Sequence, residues 1–263
     1  MPASALMNVM VSAARKAGRS LARDFGEVER LQVSVKGPAN FVSAADHRAE
    51  EIIYNELSRA RPQYAFLMEE HGPVDGADKT HRWIVDPLDG TSNFLHGIPL
   101  FCISIGLERD GQLVAGLVYV PVLDELFTAE RGKGAFLNDR RIRVSSRRHL
   151  SDALMATSIP HKGRSGHDRF RREMEALTME ATGIRRTGAA AMDLAWTAAG
   201  RFDAYWEYEI EPWDIAAGIV ILREAGGIAT DLSGDANMME TGTIVAGVPS
   251  IQKALLEKLA SKT

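Results

Sequence analysis

The segment Trp83-Ile84-Val85-Asp86-Pro87-Leu88-Asp89-Gly90-Thr91-Ser92 constrains this chain more than any other. Its apolar opening, with two β-branched residues, reads as the end of a buried strand. Pro87 has no N–H to offer a neighbouring strand, so the strand is expected to stop at Asp86. Asp89 returns three residues later, and Gly90 and Thr91 then open a short helix. Two carboxylates are thereby gathered beside a helix start whose unpaired N–H groups suit an anion. Carboxylates so gathered attract hard cations such as Mg2+, which prefer oxygen ligands. A cation and N–H groups aimed at one point make a site for a phosphate ester. The bland alternative is an Asp-Gly turn with a helix-capping acid.

A covalent aspartyl-phosphate mechanism is disfavoured. Its nucleophile loop reads Asp-x-Asp-Gly-Thr, and Pro87 stands where that first Asp would be. Glu69 and Glu70 close the apolar run at residues 64–68. Adjacent acids at a strand end are ordinarily a solvated edge. If that run pairs with the strand ending at Asp86, however, Glu69 and Asp86 meet at one sheet edge. A third acid lies in Glu211-Pro212-Trp213-Asp214-Ile215-Ala216-Ala217-Gly218. Pro212 fixes the first turn of a helix that runs to Ala225 and stops at Gly226-Gly227. Asp214 there either complements the helix dipole or joins the other acids, and Trp213 is either core or site.

Along the chain, residues 3–14 resemble a signal-peptide core. Asn8 and Ser12 interrupt the run, though, and no positive residue precedes it. Leu6, Met10, Ala13, Ala17 and Leu21 recur at helical spacing, so an amphipathic first helix of a cytoplasmic protein is expected. A strand at 31–35 should end at the turn Lys36-Gly37-Pro38. A helix follows at 43–59, capped by Ser43, with Ile52, Ile53 and Leu57 inward. Apolar runs at 103–107, 113–119 and 125–129, punctuated by Asp110-Gly111 and Val120-Pro121, read as a β-meander extending past Gly132 and Gly134. Beyond it, helices at 168–181, 189–199 and 214–225 surround strands at 154–157 and 203–206. The change of rhythm divides the chain into halves at 1–150 and 151–263, each with its own sheet, in an α+β or layered α/β class.

The formal net charge of -4 excludes a surface built chiefly to coat nucleic acid. No apolar run reaches the roughly 18–20 residues of a membrane span. Cys102 is the single cysteine, which rules out an intrachain disulfide and fits a reducing compartment. Its apolar setting at 100–105 reads as a buried structural thiol. His47, His71, His81 and His96 have no zinc-site spacing.

Asp86-Pro87-Leu88-Asp89-Gly90-Thr91-Ser92-Asn93-Phe94 and Trp213-Asp214-Ile215-Ala216-Ala217-Gly218 resemble the two signatures of the inositol monophosphatase family. Glu69-Glu70 lies upstream and Glu224-Ala225-Gly226-Gly227 at the end, as in that family. The similarity spans nearly the whole chain, through Lys36-Gly37-Pro38-Ala39-Asn40-Phe41-Val42 to Asp46, Gly132-Lys133-Gly134-Ala135-Phe136, and Arg186-Thr187-Gly188 to Asp203-Ala204. It implies a layered αβαβα sandwich of the sugar-phosphatase type, an N-terminal half with an antiparallel sheet and the metal loop, and a C-terminal half that closes the site.

By the same resemblance, Glu69, Asp86, the Leu88 carbonyl, Asp89 and Asp214 hold two or three Mg2+ ions, with Li+, and Ca2+ as a further case, as inhibitors. Asp46 orients the Thr91 hydroxyl near the attacking water, and Glu69 shares in accepting its proton. Gly90 and Thr91 donate N–H groups to the phosphate. Glu207 and the backbone at Ala190, with Asp89 and Asp214, contact the alcohol. Ala189 departs from the pattern, where many members carry Thr or Ser, which removes one polar contact to that alcohol. The implied reaction is direct attack of a metal-activated water on a small phosphorylated polyol, inositol 1-phosphate first. Fructose 1,6-bisphosphate, adenosine 3',5'-bisphosphate, histidinol phosphate and NADP are the alternatives. A homodimer is implied. The arginine clusters at 140–148, 162–172 and 185–186 read as solvated faces or a dimer seam, and as a subordinate reading they bind transcription machinery in ribosomal RNA synthesis.

Overall fold

In the computed structural model, residues 4–27, 33–37, 40–161 and 163–260 are described, with 33–37 and 40–43 as backbone alone. Helix α1 (Ala5–Phe25) starts where the Ser4 side chain accepts the Met7 N–H at 3.0 Å, an N-cap that satisfies one orphan donor. Met10, Ala13, Ala17 and Leu21 form its buried stripe, and Leu6 sits at the half-buried margin. Helix α2 (Ala44–Ala60) lies alongside and buries Ile53 and Leu57, with Ile52 half-buried at the rim. Strands β1 (Val33–Gly37) and β2 (Asn40–Ser43) pair antiparallel. Leu31, Gln32 and Pro38 of the expected strand and turn, and the cap expected from the Ser43 side chain, lie outside the described residues.

The first sheet comprises β3 (Ala65–Met68), β4 (Gly72–Val74), β5 (His81–Asp89), β6 (Cys102–Arg109), β7 (Gln112–Val120), β8 (Glu125–Glu130), β9 (Gly134–Leu137) and β10 (Arg140–Ile142). Its order is β10-β9-β8-β7-β6-β5-β3-β4. Strands β5 to β10 form the expected meander. Asp110 and Gly111, both at positive φ (51° and 73°), close the β6–β7 hairpin as a primed turn does. Among the described residues of this sheet, only β3 and β5 pair parallel.

One expectation fails in detail. Strand β5 does not stop at Asp86 but passes through Pro87 to Asp89. Asp86 pairs with Ser104 and Asp89 with Cys102, one more residue on β5 than on β6. This bulge absorbs the N–H that Pro87 lacks and re-aims the two acids.

The second sheet orders β12 (Gly183–Arg185), β11 (Leu154–Thr157), β13 (Ala204–Tyr208), β15 (Thr243–Gly247) and β14 (Ile228–Thr230). Around these sheets lie α3 (Thr91–Leu95), α4 (His167–Thr178), α5 (Ala190–Ala198), α6 (Pro212–Glu224), α7 (Met238–Thr241) and α8 (Pro249–Ala260). Three cores separate five layers. Met10, Leu21, Ile53 and Leu57 pack on Trp83, Val85, Ile103 and Ile105 on one face of the first sheet. Val118 and Phe127 on its other face meet Leu194, Ile219 and Ile221 of α5 and α6, which also cover Tyr205 and Ala246 of the second sheet. Trp206 and Val245 on the far side meet Leu177 of α4 and Ile251 and Leu255 of α8.

The result is an α+β sandwich layered αβαβα, with α5 and α6 between the sheets. Gly116 lets α6 come this close, because a Cβ there would stand 2.3 Å from the Ala217 carbonyl oxygen. Among the described residues no helix is long and apolar enough to cross a membrane.

Candidate functional site

Glu69 leaves β3 beside Asp86, which lies within β5 just before the bulge. Met68 pairs with Val85 across β3 and β5, and the Glu69 N–H donates to the Val85 carbonyl at 3.2 Å. The two acids therefore meet at a strand end inside the sheet. The expected sheet edge is not their place, because β4 covers the outer side of β3. Asp86 is 2% exposed, and its Oδ1 accepts the Leu88 N–H at 2.8 Å, which curls the bulge back on itself.

The third acid arrives from between the sheets. Glu211 and Asp214 cap α6 reciprocally, and Asp214 Oδ2 accepts the Glu211 N–H at 3.0 Å. The capping role weighed for Asp214 is thus real, and it aims the acid rather than competing with a site role. Ser104 of β6 donates to the Trp213 carbonyl at 3.0 Å, tying this helix start to the first sheet. Trp213 itself is half-buried.

These carboxylates act on one another through their charges. Burial, then the charges of Glu69, Asp89 and Asp214, push the Asp86 carboxyl well above the ordinary range. Desolvation, then the charges of Asp89, Glu69 and Glu207, do the same to Asp214. Asp89 is pushed up to about 7 by burial first; the Ala191 N–H, donated to Oδ2 at 2.7 Å, pulls it back, and Glu207 and Glu69 raise it again. Cys102 is buried as expected, and its thiol faces Asp89 Oδ2 at 3.6 Å. The charges acting most strongly on Asp86 and Asp214 are those of other acids.

Buried acids that repel one another need protons or cations to balance them. Carboxylates with the Leu88 carbonyl form an all-oxygen donor set, which fits Mg2+. Among the described residues no three His, Cys, Asp or Glu side chains stand as a finished chelate.

The phosphate side is built on Gly90. Its φ of 94° and the 2.9 Å from a Cβ there to the Leu100 oxygen exclude other residues. The turn brings Thr91 Oγ1 within 3.0 Å of both Asp46 Oδ1 and the Leu88 carbonyl. Asp46, fully buried in the first turn of α2, thus reaches the loop after β5.

The other wall comes from the second sheet. Ala190 opens α5 next to the N–H that holds Asp89. Glu207, half-buried on β13, accepts the Tyr205 hydroxyl, and Arg164 Nη1 lies 3.8 Å from its Oε1. Burial raises the Glu207 carboxyl, while Tyr205 and Arg164 pull it back.

Asp46, Thr91, the Leu88 peptide and Asp86 are thus joined by hydrogen bonds, and Glu69, Asp86, Asp89, Asp214 and Glu207 act on one another through charge. Sequence reasoning gave no role to Tyr205 and none to Asn93 beyond its place in the first signature. It took Arg164 only as part of the basic cluster at 162–172, whereas Arg164 is half-buried beside Glu207. Asn93 Nδ2 donates to the carbonyls of Leu100 (2.6 Å) and Thr187 (2.8 Å), binding the Gly90 turn to the second half. An Asn inside a five-residue helix, where it is a poor helix former, was its one physical signal.

The model of the inositol monophosphatase family matches residues 3–263. An inositol-1-monophosphatase of Mesorhizobium japonicum is 59% identical over 257 residues, covering 98% of this chain and 97% of that one. The Nus factor SuhB of Vibrio cholerae is 42% identical over 254 residues, covering 97% and 95%. The solved structure of extragenic suppressor protein suhB from Bartonella henselae superposes with a TM-score of 0.95 at 57% identity, covering 97% of this chain and 98% of its own. A family match of this extent, joined to relatives above half identity and to the layered fold, has one meaning: the chain belongs to the inositol monophosphatase family.

Proposed function

We propose that this protein is a Mg2+-dependent phosphomonoesterase of small phosphorylated polyols, with inositol 1-phosphate as its leading substrate. One observation carries the reading. Glu69, Asp89 and Asp214, from three separate stretches, raise the proton affinity of Asp86, and Glu69 raises that of Asp89 and Asp214 as well, beside the Gly90–Thr91 turn. The relative named inositol-1-monophosphatase supports the choice of substrate. We assign Glu69, Asp86, the Leu88 carbonyl, Asp89 and Asp214 as metal ligands. Mg2+ when bound supplies positive charge toward the transferring phosphoryl oxygens and Lewis acidity toward water.

The chain's own groups do the rest. The single hydroxyl hydrogen of Thr91 serves only one of its two acceptors at a time. Donated to Asp46, it leaves a lone pair on Thr91 Oγ1 to accept a proton from the attacking water as the Thr91 proton passes to Asp46. Glu69 stands on the other side as a second acceptor. A second water near Asp214 protonates the leaving alkoxide. The N–H groups of Gly90 and Thr91 hold the phosphate oxygens, and attack is direct and in line, without a phosphoenzyme. Glu207, Asp89, Asp214 and the backbone at Ala190 accept or donate to the alcohol's hydroxyls. Li+ inhibits by entering a weakly held ion position, and the enzyme works in the cytoplasm as a homodimer.

Phosphate release from inositol 1-phosphate, fructose 1,6-bisphosphate, adenosine 3',5'-bisphosphate, histidinol phosphate and NADP, with Mg2+ and with or without Li+, tests the assignment. Inositol 1-phosphate should lead, and Asp86→Asn should lose more than about 100-fold while keeping its circular dichroism, since even outer-shell partners of a metal carry 10–100-fold. A lead for adenosine 3',5'-bisphosphate by orders of magnitude would overturn the substrate, and near-normal turnover of Asp86→Asn would overturn the mechanism.

The relative named Nus factor SuhB supports a second, non-enzymatic reading, a binding role in transcription. Capture of RNA polymerase that survives Asp86→Asn would support it as an additional activity.

A further inference from the structure

We infer that Glu50 is a positioning residue for the metal site, acting through the turn that carries Glu69; the inference rests on the metal-site reading above. Helix α2 presents two acids one turn apart, Asp46 and Glu50, each 0% exposed. Residues four apart share a helix face. Asp46 reaches the Thr91 hydroxyl, and Glu50 reaches the turn between β3 and β4. One Glu50 oxygen accepts the Glu70 N–H at 2.9 Å, and the other accepts the His71 N–H at 3.0 Å. The His71 ring Nδ1 also contacts that second oxygen.

A buried carboxylate that takes two successive backbone N–H groups fixes the peptide planes between them. Glu69 immediately precedes those planes. Its own N–H is held from the other side by the Val85 carbonyl at 3.2 Å, next to Asp86. The turn is therefore gripped by the first sheet at Glu69 and by α2 at Glu70 and His71. One rigid helix thus sets the register between the turn that bears Glu69 and the loop that bears Thr91. Glu50 is not one of the ligands assigned above; its carboxylate is taken up by the turn. It fixes where the Glu69 carboxylate starts, and metal-ligand carboxylates depend on such outer partners for affinity.

The test is a calorimetric Mg2+ titration of the full chain stripped with a chelator, with melting and circular dichroism on the same samples. Glu50→Gln keeps the shape but turns an amide N–H toward a backbone donor. It should fold, bind Mg2+ 10–100-fold more weakly, and lose kcat with little change in KM at saturating Mg2+. His71→Ala, which keeps both backbone bonds, should weaken Mg2+ binding by about 2–5-fold.

A lowered melting temperature with parental Mg2+ affinity would mark Glu50 as structural only and overturn the inference. If Glu50→Gln does not fold, Glu50→Asp, which keeps the charge but draws it back from the Glu70 and His71 N–H groups, decides: parental affinity overturns the inference, and weakened affinity supports it. Asp86→Asn separates the two levels. Mg2+ binding that survives Asp86→Asn sinks the metal reading itself. Binding lost there but intact in Glu50→Gln sinks only the positioning role.

Discussion

The two walls of the site are held in different ways. On the wall built from the first sheet and the start of α6, most of the acids are fixed by main-chain bonds. Asp86 takes the Leu88 N–H, Asp89 takes the Ala191 N–H, and Asp214 takes the Glu211 N–H. On the wall built from the second sheet, Glu207 is fixed by side chains, the Tyr205 hydroxyl and the Arg164 guanidinium. Backbone donors are present whatever the neighbouring side chains are, so the first wall is tied to the fold. The second changes whenever a single distant residue changes. Under the proposed function, ion binding belongs to the architecture and alcohol selectivity to a few side chains.

That contrast can be broken at several points. Thr91→Ala removes the hydroxyl from the fixed wall and should cut kcat by about 10²–10⁴, the worth of a positioned proton acceptor, with KM little changed. Stopped-time phosphate assays read it, and Thr91→Ser should recover most of the loss. Asn93→Ala cuts the strut between the walls. It leaves the Leu100 and Thr187 carbonyls short of a donor, which should cost about 2–4 kcal/mol and lower the melting temperature by roughly 5–10 °C. Arg164→Ala loosens the side-chain wall alone. KM for a polyol phosphate should rise about 3–10-fold, the worth of one hydrogen bond to a charged partner, with kcat within about twofold. A fall in kcat instead, with KM unmoved, would place Arg164 on the chemistry and erase the contrast.

The smallest effect concerns pH. Asp89 titrates near 7 in the folded protein and at its ordinary 3.8 when unfolded. Between those values the folded state binds more protons, so stability falls as pH rises through this window and levels off above about 7. Protein kept in chelator should therefore melt higher at pH 5 than the Asp89→Asn variant's own trend would give, with the difference vanishing above pH 7. Saturating Mg2+ should remove that advantage, because the cation takes over the balancing of charge. An identical pH profile for parent and variant would show that Asp89 is not strained by its neighbours.

The contrast also explains what was legible in the sequence. Asp86, Asp89 and Thr91 lie within one short segment whose Pro, Gly and acids dictate a strand end and a helix start, and the meander after it follows from alternating runs and Asp110-Gly111. The bulge that carries β5 through Pro87 was not legible, because pairing with β6 outweighs one missing N–H. Glu69 could be connected to Asp86 only by assuming that two short apolar runs pair, and β3 and β5 do pair. Tyr205 gave no signal, and Arg164 stood only in a basic cluster read as a solvated face or dimer seam. Their meaning depends on a β13 register and a loop path that arise only after the second sheet has formed. Glu50 looked like one more polar helix residue, since nothing in its local sequence shows that its carboxylate points inward under a turn twenty residues away.

Crystals soaked in Mn2+, which shares the oxygen preference of Mg2+, offer the most direct test through anomalous diffraction. The account predicts a peak lying about 2–2.5 Å from carboxylate oxygens of both Glu69 and Asp86, with Asp214 on the same ion or on a neighbouring one. Carboxylates of Glu69 or Asp214 turned away from Asp86 at saturating Mn2+, with no peak between them, would contradict it.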